Sequence, residues 1–312
     1  RGTLRLRKQN LLQNQRHLRR KQFPNQERLE KLLRQKIVRH APLKQRLKQQ
    51  KRYKLSHISF SEMKLWTECP WKHKLVYLDK IDGFKGNEHT AFGSAMHSTC
   101  EQLVENNISN PKEYFQEQFL KELKELPDTL GFNKKLVTDM RSQGIMLVDH
   151  ILPALKDYFG TYTLVSVEEK LFEPIEDYDG YNFKGFVDLV VKTPDGKHHV
   201  IDWKTCSWGW DTRRKSEKMT TYQLTLYKHF FAIKHKIDPT NLETHFALIK
   251  RTAKTNNVEL FRVTSGNKKT ENALKILNKA LYNISHKKHI KNRLFCHGRY
   301  GTCEFYNTKH CK

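Results

Sequence analysis

From about residue 53 onward, apolar positions along the chain recur in two different periods, and the switch between them organises the sequence. Ser59-Phe60-Ser61-Glu62 has the Ser-x-x-Glu form of a capping box and opens a helical pattern through Met63, Leu65 and Trp66. Helical spacing then predicts helices over residues 91–104, 111–126 and 135–158, the last despite Pro153. At residue 164 the period changes to two, which predicts strands over 164–174, 181–192 and 198–204. A helix over 220–233, strands over 244–250 and 258–263 and a helix over 268–284 complete the pattern. Helices, three strands, a helix, two strands and a helix make an α/β sandwich on a mixed sheet.

Two of these strands carry carboxylates where apolar residues are expected. Asp188 lies in Gly-Phe-Val-Asp-Leu-Val-Val and Asp202 in Val-Ile-Asp-Trp-Lys-Thr, with the turn sequence Thr193-Pro194-Asp195-Gly196 between the strands. Alternation puts Asp202 and Lys204 on one face and turns Trp203 away. A carboxylate inside an apolar strand is costly unless it is paired or bound to a metal, so both aspartates need partners. The Asp/Glu-x-Lys triplet alone decides nothing, because it also occurs at Glu62, Glu122, Glu168 and Asp195. Its position in a hairpin with a second carboxylate is what suits metal-dependent phosphodiester cleavage.

Composition adds a polyanionic partner. The net charge is +25, and residues 1–50 carry sixteen Lys and Arg against only Glu27 and Glu30. That divides the chain into a basic arm, residues 1–52, with a helical patch over 27–40, and a body, 53–312. The arm reads either as an electrostatic tether to nucleic acid or as a solvated tail. No apolar run approaches the roughly 18 residues of a membrane span, so no membrane is expected and the location implied is cytoplasmic. In a reducing setting the six cysteines are expected free, catalytic or metal-bound.

Further residues fall into place around the hairpin. Gln223 and Tyr227 are four apart, on one face of the helix that follows the Asp-x-Lys strand. His97 sits in an earlier helix beside the small residues Gly93, Ser94 and Ala95, which permit close packing. The loop from Ser207 to Lys218 sets Trp208 and Trp210 beside Arg213, Arg214 and Lys215. Aromatics beside cations stack bases and hold phosphates, though the same tryptophans can instead pack on the domain.

In this order and spacing, the segments SFSEMKLWTECPWKHKLVYL, GSAMH, VEEKLF, GFVDLVV, VIDWKT and YQLTLY resemble the PD-(D/E)XK nuclease superfamily. Within it they resemble the RecB-type nuclease domains and their CRISPR-associated and phage relatives. Val187-Asp188 stands where the family name has Pro-Asp. The resemblance implies a restriction-endonuclease-like α/β/α sandwich with a helical insertion before the core strands. It also implies that His97, Asp188, Asp202 and the backbone carbonyl of Trp203 hold Mg²⁺ or Mn²⁺. Lys204 would orient the attacking water, and Gln223 and Tyr227 would set their helix against the site or the DNA. Glu169 is carried over as a catalytic candidate, with Glu168 adjoining it and the pointing of the two left open.

Cys69 upstream, with Cys296, Cys303 and Cys311 at the C-terminus, resembles relatives whose iron–sulfur cluster clasps the ends of the nuclease domain. Four thiolates suit [4Fe-4S] or Zn²⁺ equally by count, and Cys-x6-Cys-x7-Cys is looser than the spacing common in that group. Cys100 and Cys206 read as small buried apolar residues. The function expected is a metal-dependent deoxyribonuclease, an exonuclease on DNA ends or single strands in replication, recombination, repair or phage DNA processing, with a helicase or recombination protein as partner. A nucleic-acid-binding module without catalysis and a site-specific endonuclease are the alternatives.

Overall fold

The computed structural model describes residues 56–127, 131–298 and 301–312. The basic arm and its helical patch lie outside the described residues. Ser56–Lys312 forms one compact unit.

A mixed six-stranded sheet runs through the middle: β1 (Ser56–Ser59), β2 (Thr163–Pro174), β3 (Tyr181–Lys192), β4 (His198–Cys206), β5 (Leu242–Lys250) and β6 (Val258–Val263). β1 runs parallel to β3 and β5 parallel to β4, while the other pairs are antiparallel. On one face, α3 (Glu88–Val104), α4 (Pro111–Lys124) and α5 (Lys134–Phe159) bury Phe92, Met96, Leu147 and Ile151 against Leu189, Val191, Ile201 and Trp203. On the other, α1 (Phe60–Glu68), α7 (Lys218–His235) and α8 (Asn267–Ser285) bury Met63, Leu224, Phe231 and Leu277 against Val190, Val200, Phe246 and Leu248. This is the three-layer α/β/α arrangement. Two short helices, α2 (Pro70–His73) and α6 (Thr212–Lys215), a π-helical turn (Lys74–Leu78), two 3₁₀ turns (Pro239–Asn241 and Arg293–Phe295) and a small hairpin of β7 (His297–Gly298) and β8 (Gly301–Thr302) complete the described elements.

One topological detail positions the site. β2 covers one edge of β3 from Asn182 to Lys192. The other edge is shared: β1 pairs with Tyr181–Lys184 and β4 with Leu189–Lys192. Between them, residues 185–188 face no strand, so their backbone groups need partners from elsewhere.

Most expected elements are present with ends moved by one to three residues, as frayed helix ends allow. β1 was not foreseen, because Ser-His-Ile-Ser is too short to show a period. The capping box is half formed: Ser59 Oγ accepts from the Glu62 N–H at 3.1 Å, but the Glu62 carboxylate turns to His73 Nε2 at 2.9 Å. Close helix packing rests on Gly144 of α5, where a Cβ would lie 2.1 Å from the Phe115 ring of α4.

Candidate active site

The site forms where the β3–β4 ladder opens. Its last paired residues are Leu189 and Ile201, and beyond them the Trp203 N–H donates not to a strand carbonyl but to Asp188 Oδ2, at 2.8 Å. Asp188 thus satisfies a backbone donor that the splayed strands release. The same splaying brings Asp188 and Asp202 together at the gap in the edge of β3. Lys204, two residues on and on the same face as Asp202, places its ammonium 2.5 Å from Asp202 Oδ2.

His97 reaches the pair from α3, with Nδ1 3.5 Å from Asp188 Oδ2 and the ring hydrogen-bonded to the Trp203 carbonyl. Its helix packs closely on β4: Ala91 and Ala95 are buried, and Gly93 brings the backbone near Thr205. Ser94, grouped with them by composition, is exposed.

From the other face α7 contributes Gln223 and Tyr227, whose side chains meet at 3.2 Å. Tyr227 is buried, and its hydroxyl receives a backbone hydrogen bond from Phe186 in the unpaired stretch of β3. Gly185 makes this approach possible, since a Cβ there would lie 2.8 Å from the tyrosine ring. Burial and the nearby Asp202 push the Tyr227 phenol up, so it stays protonated as a donor.

The electrostatics are those of a buried charged cluster. Burial raises Asp188 and Asp202 to about 6 each, against the pull of Lys204 in the opposite direction. Burial first, and the Lys204 ammonium second, hold His97 down to about 4, which leaves a neutral imidazole.

The structure separates the two adjoining glutamates. Glu169, the sequence candidate, points away from the aspartates and is taken up by Lys234 Nζ at 2.6 Å and His235 Nε2 at 2.5 Å. Glu168 is the one at the site. It lies opposite Asp188 on β2, between the pairs Val167–Leu189 and Glu169–Val187, with a left-handed φ of 45°. Its side chain hydrogen-bonds Glu101, which burial and the Glu168 charge push well above the usual carboxylate range. Glu101 was missed by sequence reasoning, although it stands four residues after His97 and therefore shares its helix face.

The fit to a metal ion can be tested on these atoms. Asp202 Oδ2 is buried and accepts no well-aligned hydrogen bond, since Lys204 is close but off line. Two carboxylates, a neutral imidazole and a backbone carbonyl converge there, a mostly hard-oxygen donor set of the kind that takes Mg²⁺ or Mn²⁺. The residues fit the ion.

The tryptophan loop divides. Trp208 is 75% exposed, with exposed Arg213 near it in sequence. Trp210 is buried against Phe246 and Phe261 and is not available to a base. Arg214 lies over its ring at 4.6 Å, and Lys215 pairs with Glu259.

The cysteines at the two ends of the unit are brought to one region. Cys69 caps α2, and its sulfur accepts from the N–H groups of Lys72 (3.5 Å) and Asn292 (3.4 Å). The Cys303 N–H donates to the Cys296 carbonyl at 2.7 Å, and Cys311 and Cys303 pack with Trp71, Leu75 and Phe305. Sulfurs about 2.3 Å from one zinc ion lie within about 4.6 Å of one another. Among the described residues no three cysteine sulfurs are that close. Cys100 is buried and Cys206 half-buried, both within the cores.

Comparison with known proteins bears on the fold and the cluster together. The family model of the PD-(D/E)XK nuclease superfamily matches residues 57–308. Among solved structures, a candidate exonuclease from Eubacterium rectale is 14% identical, covers 77% of this chain and 85% of its own, and superposes with a TM-score of 0.51. The protein SSO0001 is 11% identical over 80% of this chain and 81% of its own, with a TM-score of 0.35. No curated protein matches the chain.

Proposed function

The chain belongs to the PD-(D/E)XK nuclease superfamily, and we propose that it is a divalent-metal-dependent deoxyribonuclease acting as an exonuclease on DNA ends or single strands. The observation that carries this reading is the convergence of His97, Asp188, Asp202 and Lys204 at the gap in the edge of β3. The reaction is hydrolysis: a water oxygen bonds to phosphorus, one ester P–O bond breaks, and the departing oxygen takes up a proton.

His97, Asp188, Asp202 and the Trp203 carbonyl would hold Mg²⁺ or Mn²⁺. Such an ion lowers the pKa of a water and neutralises a phosphate oxygen. Lys204 orients the attacking water and offsets charge that builds on the phosphate. Glu101 and Glu168 hold a proton between them beside Asp188. Gln223 and Tyr227 fix α7 against Gly185 and so keep Asp188 at the opened ladder.

Several features support DNA as substrate and ends as the point of attack. The sequence is strongly basic, most of all over residues 1–50. Trp208 presents an exposed aromatic face, with Arg213 exposed five residues on, the residue types that single-strand binders use. The Eubacterium rectale protein, named a candidate exonuclease, points the same way. Among the described residues no helix is long and apolar enough to cross a membrane. The four cysteines Cys69, Cys296, Cys303 and Cys311 would hold an iron–sulfur cluster: they are brought to one region, and the N–H donors on Cys69 are of the kind that tune cluster thiolates.

The test is digestion of matched linear and circular single-stranded DNA, with linear duplexes blocked at either end, in Mg²⁺ and in Mn²⁺. Linear strands with free ends should be degraded and circles left intact. Nicking of circles at the rate of linear strands would overturn the exonuclease assignment.

A further inference from the structure

A second cluster of metal-binding side chains lies away from the nuclease centre and plays no part in it. β4 and β5 run parallel with His199 beside Glu243 and Ile201 beside His245. Residues 199, 243 and 245 therefore project from the sheet face that carries α5, the face opposite to Asp202 and Lys204. Three residues along β4 separate His199 from Asp202, roughly 10 Å of strand.

The donor atoms are close and mutually arranged. His199 Nδ1 and His245 Nε2 are 3.0 Å apart, and each is 3.9 Å from Glu243 Oε2. The point equidistant from atoms so spaced lies about 2.1 Å from each, the length of a bond from zinc to imidazole nitrogen or carboxylate oxygen. Among the described residues this is the one group of three His, Cys, Asp or Glu whose ligand atoms gather so tightly.

The surroundings are those of ligands held in place. The outer nitrogen of each imidazole faces a hydroxyl: His199 Nε2 is 2.9 Å from Thr193 Oγ1, and His245 Nδ1 is 3.3 Å from Tyr158 Oη. Partners of this kind fix ring orientation and tautomer at metal sites. Lys197 and Arg262 hold the other carboxylate oxygen, Glu243 Oε1, at 3.2 Å each, which leaves Oε2 turned to the histidines. Phe159 packs its ring against both imidazoles, at centroid distances of 4.8 and 5.2 Å. His199 and His245 are 6% and 2% exposed, yet they line a cleft of about 440 Å³ that opens beside Tyr158 and Arg262.

The geometry points to a second metal site, His199–Glu243–His245, that takes a transition-metal ion of the zinc class with a water in the fourth position. Two imidazoles and one carboxylate select such an ion over Mg²⁺, which prefers an all-oxygen shell. Burial holds both imidazoles below their ordinary range, with His199 and Arg262 adding to it at His245 and Glu243 opposing it at His199, and the neutral form is the one that binds metal. For the ion to enter, the proton shared by the two inner nitrogens moves to an outer one, where a hydroxyl oxygen accepts it. Each ring then turns its bare nitrogen from its neighbour toward Glu243 Oε2. The ion would tie β4 to β5 beside the C-terminal end of α5, on the sheet face opposite to Asp202 and Lys204.

Cobalt(II) is the probe, added to the full chain in excess Mg²⁺. The wild type should bind one equivalent with the visible bands of a nitrogen–oxygen site, separable from the near-ultraviolet thiolate-to-cobalt bands that cysteine binding would give. His199→Gln and His245→Gln should each weaken those visible bands by at least about tenfold, while Asp188→Ala and Cys303→Ser retain them. Bands that persist unchanged in both histidine variants, or vanish in Asp188→Ala alone, would overturn the site. Should the histidine variants fail to fold, imidazole nitrogen NMR of the wild type decides. Zinc must shift His199 and His245 together, and resonances unmoved by one equivalent would overturn the proposal.

Discussion

Replacing Asp188 with Asn should stabilise the metal-free protein while abolishing its stabilisation by Mg²⁺ or Mn²⁺. Burial raises the Asp188 carboxyl from 3.8 to about 6, with Lys204 and the Trp203 N–H only partly opposing it. Each unit is worth about 1.36 kcal/mol, so ionised Asp188 costs the folded state about 3 kcal/mol. The side chain is only 10% exposed, so solvent screening takes little from that figure. The sign follows from linkage: an acid whose folded pKa is raised contributes its full stability below 3.8 and loses it as pH rises through about 6. Asn keeps the shape and can still accept the Trp203 N–H, but carries no charge. In EDTA its advantage over the wild type should therefore grow from about 0.5 kcal/mol at pH 4 to about 3 kcal/mol at pH 7.5. For a unit of this size that is a rise of about 6–12 °C in melting temperature at the upper pH. Added Mg²⁺ or Mn²⁺ should stabilise the wild type and leave the variant unmoved. An Asn variant less stable than the wild type at pH 7.5, or a difference that does not change with pH, would refute the reasoning.

Three other outcomes follow from the geometry. Glu168→Gln should lower DNA cleavage at least about tenfold, as loss of a group that holds a proton beside the reacting atoms does, whereas Glu169→Gln should stay within a few-fold and lose only its contacts to Lys234 and His235. Gly144→Ala should destabilise by about 2 kcal/mol in urea, because overpacking against the Phe115 ring outweighs the gain in helix propensity. Trp208→Ala should leave the melting temperature unchanged and cost about 1–3 kcal/mol of single-strand affinity by fluorescence titration, while Trp210→Ala should cost about 3–5 kcal/mol of stability.

Periodicity carried the sheet and its helices because each core strand buries both faces or alternates cleanly, as Tyr181–Lys192 and Leu242–Lys250 do. The aspartates were legible for a related reason: a carboxylate among β-branched residues stands out against the cost of burying it. What sequence could not give was which way a side chain leaves a distorted strand. Glu168 and Glu169 are neighbours, and strict alternation leaves open which of them faces the site. The pairing with β3 and the left-handed φ at Glu168 decide it. Trp208 and Trp210 share a parity yet part company because the loop folds Trp210 back onto Phe246. The gap in the edge of β3 was invisible, since it arises from β1 and β4 sharing one side of a long strand. Glu243 and His245 are two residues apart on β5, but His199 lies on β4, 46 residues before His245, and only the parallel pairing of the two strands brings the three together.

The most direct measurement is cleavage of end-labelled DNA by purified wild type, Asp202→Ala and Lys204→Ala, with Mg²⁺, with Mn²⁺ and with EDTA, each protein shown to be folded by its melting curve. Cleavage should require the divalent ion and fall at least about a hundredfold in both variants, since each removes charge stabilisation at the reacting phosphate. Equal cleavage by all three proteins, or cleavage that survives EDTA, would contradict the assignment of this cluster as the nuclease centre.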